Sequence, residues 1–163
     1  MKFNIVRASL LAISIVALLA SLSPAAYADK CSTATVAGNW GLTLTGTLLL
    51  PTGAVPGAAV AALNVDTVGN ITGTEARNVG GGFANETITG SWTVDSDCTG
   101  VVTATIYESG VLVRTVVLSL VFDDNSTEIR MLQQSLTLPN GTAIPVVVTL
   151  QGKKMFSGGD HGH

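Results

Sequence analysis

The sequence predicts an all-β fold, an eight-stranded antiparallel up-and-down barrel, and three observations predict it. No stretch beyond the first 28 residues sustains apolar spacing at three and four, whereas alternating and β-branched runs recur along the chain. Clusters of Gly, Asn, Asp and Pro punctuate those runs at short intervals, and short connections require antiparallel neighbours. Eight runs can be counted, enough for a meander to close on itself and remove its exposed edges. A two-sheet β-sandwich remains the alternative, because counting strands does not establish closure.

The first strand covers Gly38 to Leu50, with Trp40, Leu42, Leu44 and Leu48 on one face and Asn39, Thr43, Thr45 and Thr47 on the other. The stretch from Pro51 to Gly57 breaks it. A second strand near Ala59 to Asp66 turns at Val68-Gly69-Asn70 into a third, Ile71 to Val79, which ends at Gly80-Gly81-Gly82. The fourth, Glu86 to Asp95, carries Ile88, Trp92 and Val94 against Thr87, Thr89, Ser91 and Thr93, and stops at Asp97-Cys98-Thr99-Gly100. The fifth spans Val101 to Tyr107, and Glu108-Ser109-Gly110 links it tightly to the sixth, Val111 to Phe122. Asp123-Asp124-Asn125 leads into the seventh, Thr127 to Leu138. Pro139-Asn140-Gly141 is a hairpin signal before the eighth, Thr142 to about Lys153.

Residues 1–28 read as a signal peptide: Lys2 and Arg7 precede the apolar run Leu10 to Leu22, followed by Pro24 and the small-x-small site Ala26-Tyr27-Ala28. The expected organisation is that leader, one barrel domain over residues 29–156 and a flexible tail over 157–163. Loss of Lys2 and Arg7 with the leader carries the formal net charge from -3 to -5. An acidic chain lacks the basic face that nucleic acid or an anionic membrane surface needs, so nucleic-acid binding is excluded as an expectation. No integral membrane segment is expected after cleavage, since no second apolar run of spanning length follows. An outer-membrane barrel is disfavoured by few aromatics without girdles and by the polar tail. The expected location is extracytoplasmic, periplasmic or secreted. In that oxidising setting Cys31 and Cys98 most simply pair, closing a loop of 67 positions worth roughly 4 kcal/mol in the chain-entropy model.

The segments Cys31 to Gly41, Leu63 to Thr74, Gly90 to Gly100 and Thr127-Glu128-Ile129 together resemble a family of secreted bacterial proteins to which no activity is attached. The shared pattern is a cysteine just after the leader, a Gly-x-aromatic first strand, Gly-Asn at a strand turn and an Asp-Cys-Thr-Gly turn. The Gly-x-Trp opening the first strand is also similar to that of lipocalins, where the tryptophan closes one barrel end against a late basic residue. A looser similarity is to allene oxide cyclase-like barrels. These resemblances imply an architecture and no catalytic residue.

The ionisable residues form no catalytic set. Both histidines, His161 and His163, lie in the last three residues, which leaves no Ser-His-Asp or Cys-His arrangement within the predicted domain and no structural zinc set. No metal site and no cofactor are expected. Asp95/Asp97 and Asp123/Asp124 sit in turns, where aspartate caps the backbone. The ligand-binding candidates are Trp40, Trp92, Arg114, Arg130 and Gln134. Arg114 lies on the Leu112/Val116 row of the sixth strand, and an arginine among aliphatics needs a partner or a ligand anion. If Phe122 pairs with Ser126 across the turn, Arg114 falls opposite Gln134, with Glu128 and Arg130 on the same face, although a one-residue slip scatters that group.

The sixth strand reads as apolar on both faces, with Val111, Val113, Val117 and Val121 on the second, which makes it the candidate oligomer contact. Three function classes follow. The first is a non-catalytic barrel holding a small apolar molecule between Trp-capped ends. The second is a structural or surface-assembly protein, and the third a cyclase or isomerase that works by enclosure.

Overall fold

The computed structural model describes residues 31–155 except Asp124. The leader, the tail and its two histidines lie outside the described residues. The chain forms a closed antiparallel barrel of eight strands in sequence order: β1 (Gly38–Leu50), β2 (Gly53–Val65), β3 (Asn70–Val79), β4 (Gly82–Val94), β5 (Thr99–Glu108), β6 (Val111–Asp123), β7 (Glu128–Thr137) and β8 (Val146–Met155). Closure is made by the β1–β8 ladder, from Asn39 opposite Met155 to Leu48 opposite Val146. That pairing rules out the sandwich.

The alternation seen in the sequence is the barrel's inside and outside. Trp40 and Leu42 of β1, Ile88 and Trp92 of β4, and Val116, Leu118, Leu120 and Phe122 of β6 are buried, while the intervening Thr43, Thr45, Thr87, Thr89 and Thr93 are exposed. The outer row of β6 keeps Val117 and Val121 but interleaves them with Thr115 and Ser119.

Three segments differ from the sequence expectation. β2 begins at Gly53, so the β1–β2 turn is only Pro51-Thr52, and Pro56 pairs within the strand opposite Thr47. It is tolerated because residues 53–56 extend beyond the β3 ladder, which starts at Gly57 opposite Val79, leaving β1 as their sole ladder neighbour. β4 starts at Gly82 because the turn needs only Gly80 and Gly81, with φ of 57° and 90°. β8 starts at Val146. The Asn-Gly turn forms, with Gly141 at φ 85° and Leu138 N donating to Thr142 O at 2.8 Å, but Pro145 cannot donate to a ladder and only the Thr137–Ala143 bridge precedes β8.

Two bulges set which side chains enter the barrel. Ile106 faces Arg114 and Tyr107 faces Leu112, so Val113 is the extra residue, half-buried against the core, and Leu112 turns out. Val117 faces Ser135 and Leu118 faces Gln133, which makes Gln134 the extra residue of β7.

Candidate functional site

One end of the barrel is plugged. Trp40, Trp92 and Phe122 come from three strands and meet with ring centroids 5.5 to 5.9 Å apart. A single-turn helix, α1 (Thr33–Val36), is capped by Ser32, whose Oγ accepts from Thr35 N, and buries Val36 beneath the plug. Trp40 Nε1 donates to Val36 O at 3.0 Å. Lys154, opposite Trp40 in the β1–β8 ladder, donates from Nζ to Thr35 O at 3.3 Å. Cys31 and Cys98 form the expected disulfide, which ties the chain before α1 to the β4–β5 turn at this same end. Trp92 Nε1 is the one buried side-chain donor without an acceptor among the described residues.

Above the plug the interior is aliphatic until a layer of charge crosses it. Glu75 of β3 and Glu86 of β4 are direct cross-strand partners, a like-charge placement that is unfavourable alone. Arg114 reaches them from β6. Its guanidinium donates to Glu86 at 2.9 Å and 2.7 Å and also to Glu75. Arg77 donates from Nε to Glu86 Oε1 at 2.6 Å and from Nη2 to Glu108 Oε2 at 3.4 Å. The Glu86 side chain is wholly buried and holds both arginines, as charge-assisted bonds require inside a low-dielectric interior.

Burial pushes the Glu75 carboxyl up to about 7, reinforced by the hydrogen bond it shares with Glu86 and opposed by the Arg114 charge. Burial works in the same direction on Glu86, but hydrogen bonds from Arg114, Glu75 and Arg77 outweigh it and hold that carboxyl near 2. The same bond to Glu86 raises Arg77 further. At neutral pH the pair therefore holds one firm negative charge on Glu86 and a titrating proton on Glu75.

The charged layer divides the interior. Below it a chamber of about 80 Å³ lies over Trp92, walled by Leu42, Leu63, Ile88, Val102 and Leu118. Above it a chamber of about 350 Å³ is lined by Leu44, Leu48, Ala59, Val113, Leu136 and Val148, with Glu75, Arg77, Arg114 and Gln133 as its polar residues. The upper chamber reaches the end of the barrel opposite the plug, where Leu50, Val79, Leu138 and Ile144 line it and are only half-buried. Its volume lies at the low end of small-molecule sites, about 300 to 1,000 Å³.

Of the sequence candidates, Arg114 is inside, at the boundary of both chambers. Trp40 and Trp92 sit together at one end, so the tryptophans cap that end alone, and Trp92 also floors the lower chamber. Arg130 is on the outer wall, its side chain 65% exposed and paired with Asp123. Gln134 is likewise outside, donating to Ser119 Oγ. Glu128 pairs with Lys153 at 2.5 Å. The expected cluster of Arg114 with Gln134, Glu128 and Arg130 does not form. The β6–β7 ladder begins at Asp123 opposite Glu128, with residues 125–127 in the turn, and the β7 bulge then places Gln133 inward. Glu75, Arg77, Glu86 and Gln133 went unrecognised in the sequence. The signal that locates Glu86 is parity: it lies two and six positions before Ile88 and Trp92, on their buried row.

Among the described residues no group of three or more His, Cys, Asp or Glu could hold a metal ion, and no helix is long and apolar enough to cross a membrane. No protein-family model matches the chain, and no curated protein matches it. Among solved structures it is similar to EF1p2_mFAP2b bound to DFHBI, with a TM-score of 0.53 over 76% of this chain and 98% of that one, at 12% sequence identity. At that identity the likeness is one of fold.

Proposed function

We propose that this protein is a non-catalytic carrier or sensor of a small, largely apolar molecule, held in the upper chamber with its body against the aliphatic walls and its polar end toward the charged layer. The observation that carries the reading is the chamber itself: about 350 Å³, aliphatic on its walls and polar only at its base. A core filled only for stability would close such a volume, because packed interiors leave few voids larger than a water. The similar solved structure is bound to DFHBI, which fits a ligand-holding reading of the barrel. The Cys31–Cys98 disulfide supports an extracytoplasmic setting, and with it the leader over residues 1–28 and the resemblance to secreted and lipocalin-like barrels. Closure gives each described strand a ladder neighbour on both sides, so no strand is a free sheet edge along its whole length.

The test is binding of the neutral fluorescent apolar probe N-phenyl-1-naphthylamine, compared between the wild type and Ala59→Phe, which fills the chamber from β2. The expected result is saturable one-to-one binding lost at least ten-fold in Ala59→Phe with the far-UV spectrum retained. Equal binding by both proteins overturns the reading.

A further inference from the structure

We propose that the upper chamber selects molecules that join an apolar chain to a cationic, hydrogen-donating head, an alkylammonium in its simplest form, with the head seated between Glu75 and the Gln133 carbonyl oxygen. This rests on the chamber being the ligand site and names the class of ligand it takes.

Donors and acceptors at the chamber base are unequal in number. Two guanidiniums, Arg77 and Arg114, serve three carboxylates, Glu75, Glu86 and Glu108. Glu86 takes bonds from both arginines and Glu108 takes one from Arg77. Glu75 is left with one arginine contact, to the Arg114 nitrogen that also serves Glu86, beside the hydrogen bond it shares with Glu86. Once Glu75 is ionised, the unmatched charge at the base is therefore negative and sits on Glu75. A second observation points the same way. Gln133 is nine-tenths buried and lines both chambers, and it uses Nε2 on Ser135 O at 3.1 Å, which leaves its carbonyl oxygen without a donor among the described residues. With Glu75 ionised, two acceptors therefore stand where the aliphatic walls end. A ligand carboxylate placed there would meet Glu75 and Glu86 at low dielectric, whereas an ammonium completes the charge balance.

The seat is proton-linked. Without ligand, Glu75 holds a proton up to about pH 7, and the charged groups that face it are Glu86 from β4, Arg114 from β6 and Arg77 from β3. β1, β2, β7 and β8 line the chamber with uncharged residues, Leu44, Ala59, Gln133, Leu136 and Val148 among them. An ammonium requires the carboxylate form, so its binding expels that proton, and alkylamines stay charged well above this range, as lysine does at about 10.4.

Calorimetric titration with octylammonium, 1-octanol and octanoate at pH 6 and pH 8.5, in buffers of different ionisation heat, decides the matter. The expected result is octylammonium binding at least ten-fold tighter than octanoate at pH 8.5, gaining about ten-fold between the two pH values and releasing close to one proton at pH 6, with octanol flat in pH. Glu75→Gln is expected to bring the octylammonium-to-octanol preference close to parity. Octanoate binding as well as octylammonium, or an octylammonium affinity flat in pH, overturns the inference while leaving the chamber as a ligand site. Failure of all three to bind overturns both.

Discussion

Glu75 and Glu86 stand directly opposite each other across the β3–β4 ladder, and one guanidinium, that of Arg114, binds both. The pairing divides the barrel into two chambers and gives its interior a proton that titrates near neutrality. It also costs stability, because two carboxylates are buried at adjacent positions against the desolvation penalty of each.

Stability should therefore peak in mild acid. Glu75 is raised from the ordinary 4.5 to about 7, so the folded state holds its proton more tightly, and that contribution is complete below about pH 4.5 and lost as pH rises through 7. Glu86 is lowered to about 2, so its contribution is present above about pH 4.5 and lost as pH falls toward 2. Thermal unfolding across pH 2 to 9 is expected to give a maximum near pH 4 to 5, with an alkaline decline on the order of 3 kcal/mol. Glu75→Gln should flatten the alkaline side and leave the acid side in place.

Removing the bridging cation should cost more at high pH than at low. Arg114→Met leaves Glu86 with Arg77 alone and Glu75 without its guanidinium partner. Truncating one partner of such a buried pair costs about 3 to 5 kcal/mol. Urea unfolding is expected to show that loss at pH 8 and a smaller one at pH 5, where Glu75 carries a proton. Adding Glu75→Gln should recover part of the loss at pH 8.

The disulfide stabilises the plugged end and not the chamber. Cys31–Cys98 closes a 67-position loop, and Cys31→Ser with Cys98→Ser is expected to lower stability by roughly 4 kcal/mol. Below the resulting melting point, probe affinity should stay within two-fold of wild type, since the chamber residues lie beyond the charged layer. An equal fractional loss of binding would show the two ends to be coupled.

The wall tolerates no side chain at certain glycines. A Cβ on Gly90 would lie 2.9 Å from Ala104 Cα and closer still to the Thr103 carbonyl, both backbone atoms of β5. Gly90→Ala is expected to cost about 1 to 3 kcal/mol by overpacking, read from the denaturation midpoint. Gly81→Ala, with φ of 90° and no atom within 4 Å, tests backbone strain alone.

Much of the fold was legible because antiparallel barrels write their inside and outside as alternation. Trp40, Leu42, Ile88, Trp92 and Phe122 fall on rows that any reading of period two recovers, and Cys31 and Cys98 pair as their setting requires. The site was legible only through Arg114. Its partners come from β3 and β4, far away in sequence, and a turn at residues 125–127 with a bulge at Gln134 cannot be read from composition. A register without those two features puts Arg130 and Gln134 on the face of Arg114, whereas the observed one turns both outward.

Methyl NMR during titration with 1-octanol tests the ligand chamber most directly. Saturable shifts are expected at Leu48, Val79, Val113, Leu136 and Val148, with Val60, Leu132 and Val147 on the outer wall unmoved. Shifts confined to the outer-wall methyls, or no saturable shift at any, would contradict a ligand-binding chamber.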